Sequence, residues 1–415
     1  MLAALACGPS VPDEQPGHET GACVDGICVD GLACVANECV DPSTVGSTGA
    51  GPADDSTGAS SGVPLTSVSL LLVVDNSGSM AHEQLKLPAA VAVLTDTLSG
   101  AGIDWRLGVT TTDAGNPWCA ETTPERGRLE LSSCRSRLEE FVYQGPSLGD
   151  DPPVCIDACP EAWQSIASTD GRPWLSNLAG VTNLPEGLSM ADALACIVPQ
   201  GINGCGFESP LEAARLAIVR ARTPGEDSEG FIPDDALLAV LVVTDEADCS
   251  SNPQWESIFL PEGNRVFWSN PEDAQPTSAV CWNASVTCEG SSCVSASFDV
   301  DGNPTRDTDD AVIYPVARYL DALSTPADAM FALLAGVDAN GVAVYADDPL
   351  DPTFQTDFGI GPGCVAAIGR AVPPVRMREI AEALADGPPN MFSICETSYV
   401  PAMEAYAAAI VARMQ

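Results

Sequence analysis

Cations are scarce in this sequence. Its 415 residues include one lysine, Lys86, and two histidines, His18 and His82. Seventeen Lys and Arg stand against 58 Asp and Glu, a formal net charge of −41. Such a chain has little with which to neutralise phosphates, which excludes nucleic acid as a partner. Direct attraction to anionic membrane surfaces is excluded on the same ground. Two histidines make histidine-rich zinc catalysis improbable and leave no plausible Ser-His-Asp or Cys-His arrangement. Long hydrophobic runs are missing too. The unbroken run from Ala236 to Val243 falls well short of the roughly 20 apolar residues that a membrane helix needs. The glycines of Gly361-Pro362-Gly363 have neither the lysine nor the spacing of a phosphate loop.

What is present is apolar and rich in cysteine. Hydrophobic residues make up 45% of the chain, enough for a sizeable core. The length suits two or three domains, or one large domain with insertions. Seventeen cysteines with so little histidine argue for disulfides and an extracytoplasmic, oxidising location. The start, Met1-Leu2-Ala3-Ala4-Leu5-Ala6-Cys7-Gly8, resembles the end of a bacterial lipoprotein signal peptide, with Cys7 as the lipidated residue. Its apolar lead is short and lacks a basic segment, so the true start is expected upstream. Setting Cys7 aside leaves an even number of cysteines. The expected location is the bacterial cell envelope, outer membrane or cell surface, with membrane attachment only through a lipid anchor.

Texture divides the chain. Residues 1–7 read as a truncated signal segment. Residues 8–40 form a cysteine-rich module with a disordered lead, and Cys23, Cys28, Cys34 and Cys39 are spaced for two disulfides, in one of three connectivities. Zinc is the rival there, but the interval between the two cysteine pairs is too short for a zinc ribbon. Residues 41–64 are a Ser/Thr/Gly/Pro linker. From residue 65 to 415, apolar strands alternate with helical patterns. Strands are expected over Val68–Asp75, Trp105–Thr112, Ala236–Asp245, Met330–Val337 and Met391–Ile394. Helices are expected over Met190–Ile197, Leu211–Arg222, Val312–Leu323, Met377–Ala385 and Met403–Met414. A further helix carries Leu87, Val91, Leu94 and Leu98, and Pro88 should kink it or delay its start. The pattern predicts an α/β domain, a doubly wound, mostly parallel sheet with helices on both faces. Stretches near 114–187 and 247–310 read as disulfide-stapled insertions. Cysteines close in sequence are expected to pair, notably Cys196 with Cys205 and Cys364 with Cys395.

The most specific signal is Asp75-Asn76-Ser77-Gly78-Ser79, an Asp-x-Ser-x-Ser motif where a buried strand turns into a helix. Oxygen donors at alternate positions of one tight loop can face one point, and hard oxygens without His or Cys suit a divalent ion, Mg²⁺, Mn²⁺ or Ca²⁺. The loop before the helix at Leu211 reads Gly204-Cys205-Gly206-Phe207-Glu208-Ser209-Pro210-Leu211-Glu212. Ser209 and Glu212 there form a capping-box pattern. Asp299 to Asp310 has acids at EF-hand-like positions, but Pro304 occupies the place of that loop's glycine, so a turn at Asp301-Gly302-Asn303 is preferred. Glu246 and Asp248 are read as solvated acids that could assist the metal loop, and His82 as a helix-start residue.

The Asp75 motif closely resembles the metal-ion-dependent adhesion site of von Willebrand factor type A domains. Leu241-Val242-Val243-Thr244-Asp245 matches the later strand whose aspartate completes that site. The resemblance implies a doubly wound domain with one divalent ion on its top face, held by Asp75, Ser77, Ser79 and Asp245. A partner's carboxylate often supplies the last ligand. The family usually places a threonine just before the intermediate helix, where this sequence has none; Glu208 is the oxygen donor expected in its place. The expected function is non-enzymatic, metal-dependent adhesion to a protein or glycan partner, in an unspecified oligomeric state. The alternatives are an envelope protein whose metal only braces the fold, and a divalent-metal hydrolase.

Overall fold

A computed structural model of the chain describes residues 33–35, 38–40, 64–143, 153–326, 328–367 and 369–415. Two compact units divide the chain, Met1–Ala59 and Ser60–Gln415. In the first, Ala33–Val35 and Glu38–Val40 form an antiparallel hairpin with Cys34 opposite Cys39 in register. Cys7, Cys23 and Cys28, and the side chains of Cys34 and Cys39, lie outside what is described.

The second unit is built on a seven-stranded sheet. Its strands are β1 (Ser67–Val74), β2 (Asp104–Thr111), β3 (Leu175–Leu178), β4 (Val181–Thr182), β5 (Ala236–Val243), β6 (Asp328–Ala335) and β7 (Asn390–Ser393). The spatial order is β7-β6-β5-β1-β2-β3-β4. Pairing is parallel from β7 to β2 and antiparallel at β2–β3 and β3–β4. β1 and β5 are buried along their whole length, which is why they read as unbroken apolar runs rather than alternating ones.

Six helices cover the sheet: α1 (Ala81–Gly100), α2 (Met190–Ile197), α3 (Pro210–Arg222), α4 (Ala317–Leu323), α5 (Val375–Ala383) and α6 (Val400–Met414). On one face Leu70, Leu72 and Val74 pack with Leu87, Val91, Leu94 and Leu98 of α1 and Met403, Tyr406 and Ile410 of α6. On the other, Leu71 and Val73 pack with Leu211 and Ile218 of α3, Tyr319 of α4 and Met377 and Ile380 of α5. Two expected boundaries move. α1 begins at Ala81 and carries Pro88 inside it, so the proline does not delay the helix. α4 begins only at Ala317, after Pro315, while Val312 and Ile313 are buried in the segment that bridges Ser251.

All twelve cysteines beyond the first unit pair, in six bridges. Cys364–Cys395 forms as expected. The expected Cys196–Cys205 bridge does not: Cys196 joins Cys159 and Cys205 joins Cys119. The reason is burial in different places. Cys196 lies on α2 in the core under α1, whereas Cys205 lies in a separate core around Phe259, Trp268 and Cys281. The two stretches read as insertions do carry bridges, Cys134–Cys155 in the first and Cys249–Cys281 and Cys288–Cys293 in the second. The first also supplies the antiparallel edge strands β3 and β4.

The loop after β5 is tied down by a buried ion pair. Arg376 of α5 meets Asp248 at 2.8 Å, both almost fully buried. The other oxygen of Asp248 accepts from the Leu211 amide (3.1 Å) and the Ser250 hydroxyl (2.6 Å). Ser250 in turn accepts from the Glu212 amide. These bonds cap α3 from another segment of the chain. The expected capping box is absent: Ser209 donates to the Cys249 carbonyl, and Glu212 pairs with Arg215 and Arg318.

Two stability predictions follow from these ties. Asp248→Ala leaves Arg376 charged and unpaired, and should cost about 3–5 kcal/mol in denaturant unfolding, against within about 0.5 kcal/mol for Asp321→Ala at an exposed position. Replacing Cys119 and Cys205 together by Ser should cost about 2–5 kcal/mol. Non-reducing peptide mapping should recover Cys119–Cys205 and Cys159–Cys196.

Candidate metal centre

β2, β1 and β5 lie side by side in register, with Val74 opposite both Thr111 and Val243. The next residue of each strand, Thr112, Asp75 and Thr244, therefore falls in one row at the carboxyl edge of the sheet. The Asp75 amide donates to the Val243 carbonyl (2.9 Å) and the Thr112 amide to the Val74 carbonyl (3.2 Å), so the ladder holds to its last rung. Parallel sheets of this kind present their ligands in such a crevice.

Asp75 is fully buried. Its Oδ1 accepts from the Ser77 amide at 2.8 Å and its Oδ2 from the Thr244 hydroxyl at 2.6 Å. The first bond is the local turn that aspartate makes with the backbone two residues on. It brings the Ser77 and Ser79 hydroxyls to 3.1 Å of each other. Gly78 is required here by close approach: a Cβ would stand 2.4 Å from the Tyr143 ring.

Glu208 is completely buried, not solvent-facing. It sits two residues before α3, and the Cys249 amide holds its carbonyl at 2.7 Å. The Thr112 hydroxyl donates to its Oε2, and its carboxyl reaches that of Asp75. Asp245 lies two residues past the end of β5. Its carbonyl accepts from the Val372 amide at 2.7 Å, and the Ser79 hydroxyl lies against its carboxyl. Pairwise contacts thus link Asp75 to Ser77 and Glu208, Ser77 to Ser79, and Ser79 to Asp245 along the carboxyl edge.

Buried Gln84 of α1 joins the two loops. Its amide donates to the carbonyls of Asp75 (2.8 Å) and Gly201 (2.6 Å), and its oxygen accepts from the Gln200 amide (2.8 Å). A Cβ on Gly204 would run into the Asn76 side chain at 2.3 Å, so the Glu208 loop passes directly over the Asp75 loop.

The electrostatics are one-sided. Burial lifts the Asp75 carboxyl above its ordinary range, even though Thr244 and Ser77 bond to it. Burial and then the neighbouring Asp75 raise Glu208 and Asp245 well above theirs. The same two causes push Glu246 up to about 8. No lysine or arginine relieves any of the four. Three buried oxygens here have no hydrogen-bond partner: Oε1 of Glu208, Oδ1 of Asp245 and Oδ1 of Asn76. Buried acceptors are costly when left unpaired. An oxygen-only donor set of carboxylates and serine hydroxyls fits a hard divalent cation. Among the described residues no three His, Cys, Asp or Glu side chains are grouped closely enough to hold a metal ion by themselves.

Thr112 was not anticipated. The visible signal was the run Thr110-Thr111-Thr112-Asp113 at the end of the second strand, a polar cluster where a buried strand stops. Glu246 stays near Asp75, whereas Asp248 belongs to the Arg376 pair. His82 is the second residue of α1. The EF-hand-like stretch contains a tight turn, in which Asp299 Oδ1 accepts from the Asp301 and Asn303 amides and Gly302 has φ +82°.

No protein-family model and no curated protein matches the chain. Among solved structures it is similar to the pilus adhesin SpaC from Lactobacillus rhamnosus GG in its open conformation. Identity is 14% and the TM-score 0.34, over 84% of this chain and 30% of that one. A second form of SpaC gives 14% identity and a TM-score of 0.30. The chain spans about 30% of that adhesin's length. A likeness this distant says nothing about function.

Carboxyls held above their ordinary range make the folded state keep protons that the unfolded chain releases. Their penalty is absent below about pH 4, where both states are protonated. It grows as pH rises towards the Glu246 value of about 8. In chelator-treated protein, the stability gained by Glu246→Gln should therefore increase between pH 4 and pH 8, as read by urea unfolding. A gain that is constant with pH would contradict the raised proton affinity of that carboxyl.

Proposed function

We propose that this chain is a metal-dependent adhesion protein of the bacterial envelope, with a von Willebrand type A domain as its binding head. Asp75, Ser77, Ser79, Glu208 and Asp245 hold one divalent ion, Mg²⁺, Mn²⁺ or Ca²⁺, with Glu208 in the place of the family's threonine. The observation that supports the reading is four raised carboxyls at and around Asp75, with unpartnered buried oxygens and no lysine or arginine paired to them. The bound ion would offset the mutual repulsion and leave a coordination position for a carboxylate of a protein or glycan partner. Thr112, Thr244 and Gln84 orient the ligands through the hydrogen bonds described above. An extra carboxylate at Glu208 favours Ca²⁺ or Mn²⁺ over Mg²⁺, which binds few carboxylates and keeps its waters.

The rest of the reading follows from the chain's chemistry. Six bridges form in an oxidising compartment. Among the described residues no helix is long and apolar enough to cross a membrane. Lipidation at Cys7 would tether the head, and the linker over 41–64 would hold it away from the surface. The work is binding, not catalysis: the carboxyls serve as ligands.

Calorimetric titration of chelator-treated protein should show one divalent site, lost in Asp75→Ala and at least tenfold weaker in Glu208→Ala. Capture of envelope partners should vanish with EDTA while the circular dichroism spectrum persists. Asp75→Ala binding metal as well as the parent would refute the assignment. Capture that survives EDTA would leave the ion a purely structural role.

A further inference from the structure

Away from the carboxyl edge, α3 and α4 enclose a cleft of about 600 Å³. Its lining departs from the rest of the molecule. Arg215, Ile218, Val219 and Arg222 form one face of α3, spaced by three, four and seven residues as one helical stripe requires. Ala317, Arg318 and Ala322 of α4 stand opposite. Three of the chain's 17 basic residues thus line one cleft in a protein of net charge −41.

The three arginines are not equivalent. Arg215 and Arg318 share Glu212, at 2.9 and 3.3 Å, and Arg318 also stacks on Tyr314. Arg222 has no carboxylate partner among the described residues. One of its terminal nitrogens donates to the Thr325 carbonyl at 3.1 Å, and its Nε is buried without a partner. An arginine placed so has its other terminal nitrogen left to donate a charge-assisted hydrogen bond to a carboxylate. Its floor is aliphatic, without the aromatic faces and amides that a sugar would stack on and bond to. Thr308, which lies within the acidic run Asp307, Asp309 and Asp310, and Asp321 also line the cleft. These acids repel a second negative charge.

We propose that this cleft is a peptide-docking site, distinct from the metal centre. It takes an extended segment of a partner protein with one carboxylate against Arg222 and aliphatic side chains against Ile218, Val219 and Ala322. Charge complementarity selects such a partner, because the cleft offers an arginine without a carboxylate partner among the described residues, on an otherwise strongly acidic molecule.

The test uses the full chain and a fluorescein-labelled six-residue peptide with one glutamate followed by leucine and alanine. Anisotropy should show saturable binding that weakens at least tenfold in Arg222→Glu and when glutamine replaces the glutamate. Binding should persist in EDTA, which separates this cleft from the metal centre, and should weaken when a second glutamate is added to the peptide. Val219→Trp, which fills the cleft without altering charge, should also abolish binding, and melting curves of both variants should show that they fold. Binding unchanged in Arg222→Glu, or lost with EDTA, would overturn the proposal. So would displacement of the peptide by inorganic phosphate at equal concentration, which would make the cleft a small-anion site.

Discussion

Like charge gathered at the carboxyl edge of the sheet, without a lysine or arginine paired to it, is the constraint that organises this structure. Burial raises the proton affinity of Asp75, Glu208, Asp245 and Glu246, and the Asp75 carboxyl raises that of the other three further. Nothing in a single carboxyl would justify the arrangement energetically, since buried unpaired charge is strongly unfavourable. The sheet nevertheless holds these groups together by in-register pairing of β1 with β2 and β5. The cost of the arrangement must then be borne by the surrounding scaffold.

That scaffold is visible in the ties around the site. Gln84 fastens the Asp75 loop to the loop at Gly201. Cys119–Cys205 holds the segment that leads to Glu208. Asp248 with Arg376 pins the loop after β5 and caps α3 at the same time. The second insertion adds a core of its own, in which Phe207 packs against Phe259 at 4.9 Å between ring centres. The insertions therefore buttress the loops that carry the carboxyls; they are more than decoration on the sheet.

Much of this was legible in the sequence, for definable reasons. β1 and β5 are buried along their whole length, so they stand out as apolar runs, and each is followed by a polar residue, Asp75 and Thr244. The Asp75 motif is local, and a three-donor loop needs no tertiary information. That Glu208 lies near Asp75 was legible because, among Gly206, Phe207 and Glu208 just before the helix, only Glu208 carries a strong oxygen donor. Long-range choices were not. Cys205 had several partners within reach on paper, and only the separation of two cores sends it to Cys119. β3 is four residues, Leu175–Leu178, and its pairing with β2 across a long insertion leaves no periodic trace. The capping box at Ser209 was a plausible local pattern, but Asp248 and Ser250 made a better cap from a distance. Thr112 escaped because its role depends on a contact with Glu208, 96 residues away.

The central claim is that one hard cation belongs between Asp75, Ser77, Ser79, Glu208 and Asp245. The most direct measurement is anomalous diffraction from crystals grown with Mn²⁺. The account predicts a single strong peak among those side chains, with the Glu208 carboxylate turned to it and Thr112 still bonded behind. No peak there, or a peak only at an exposed acidic loop such as Asp299 to Asp310, would contradict it.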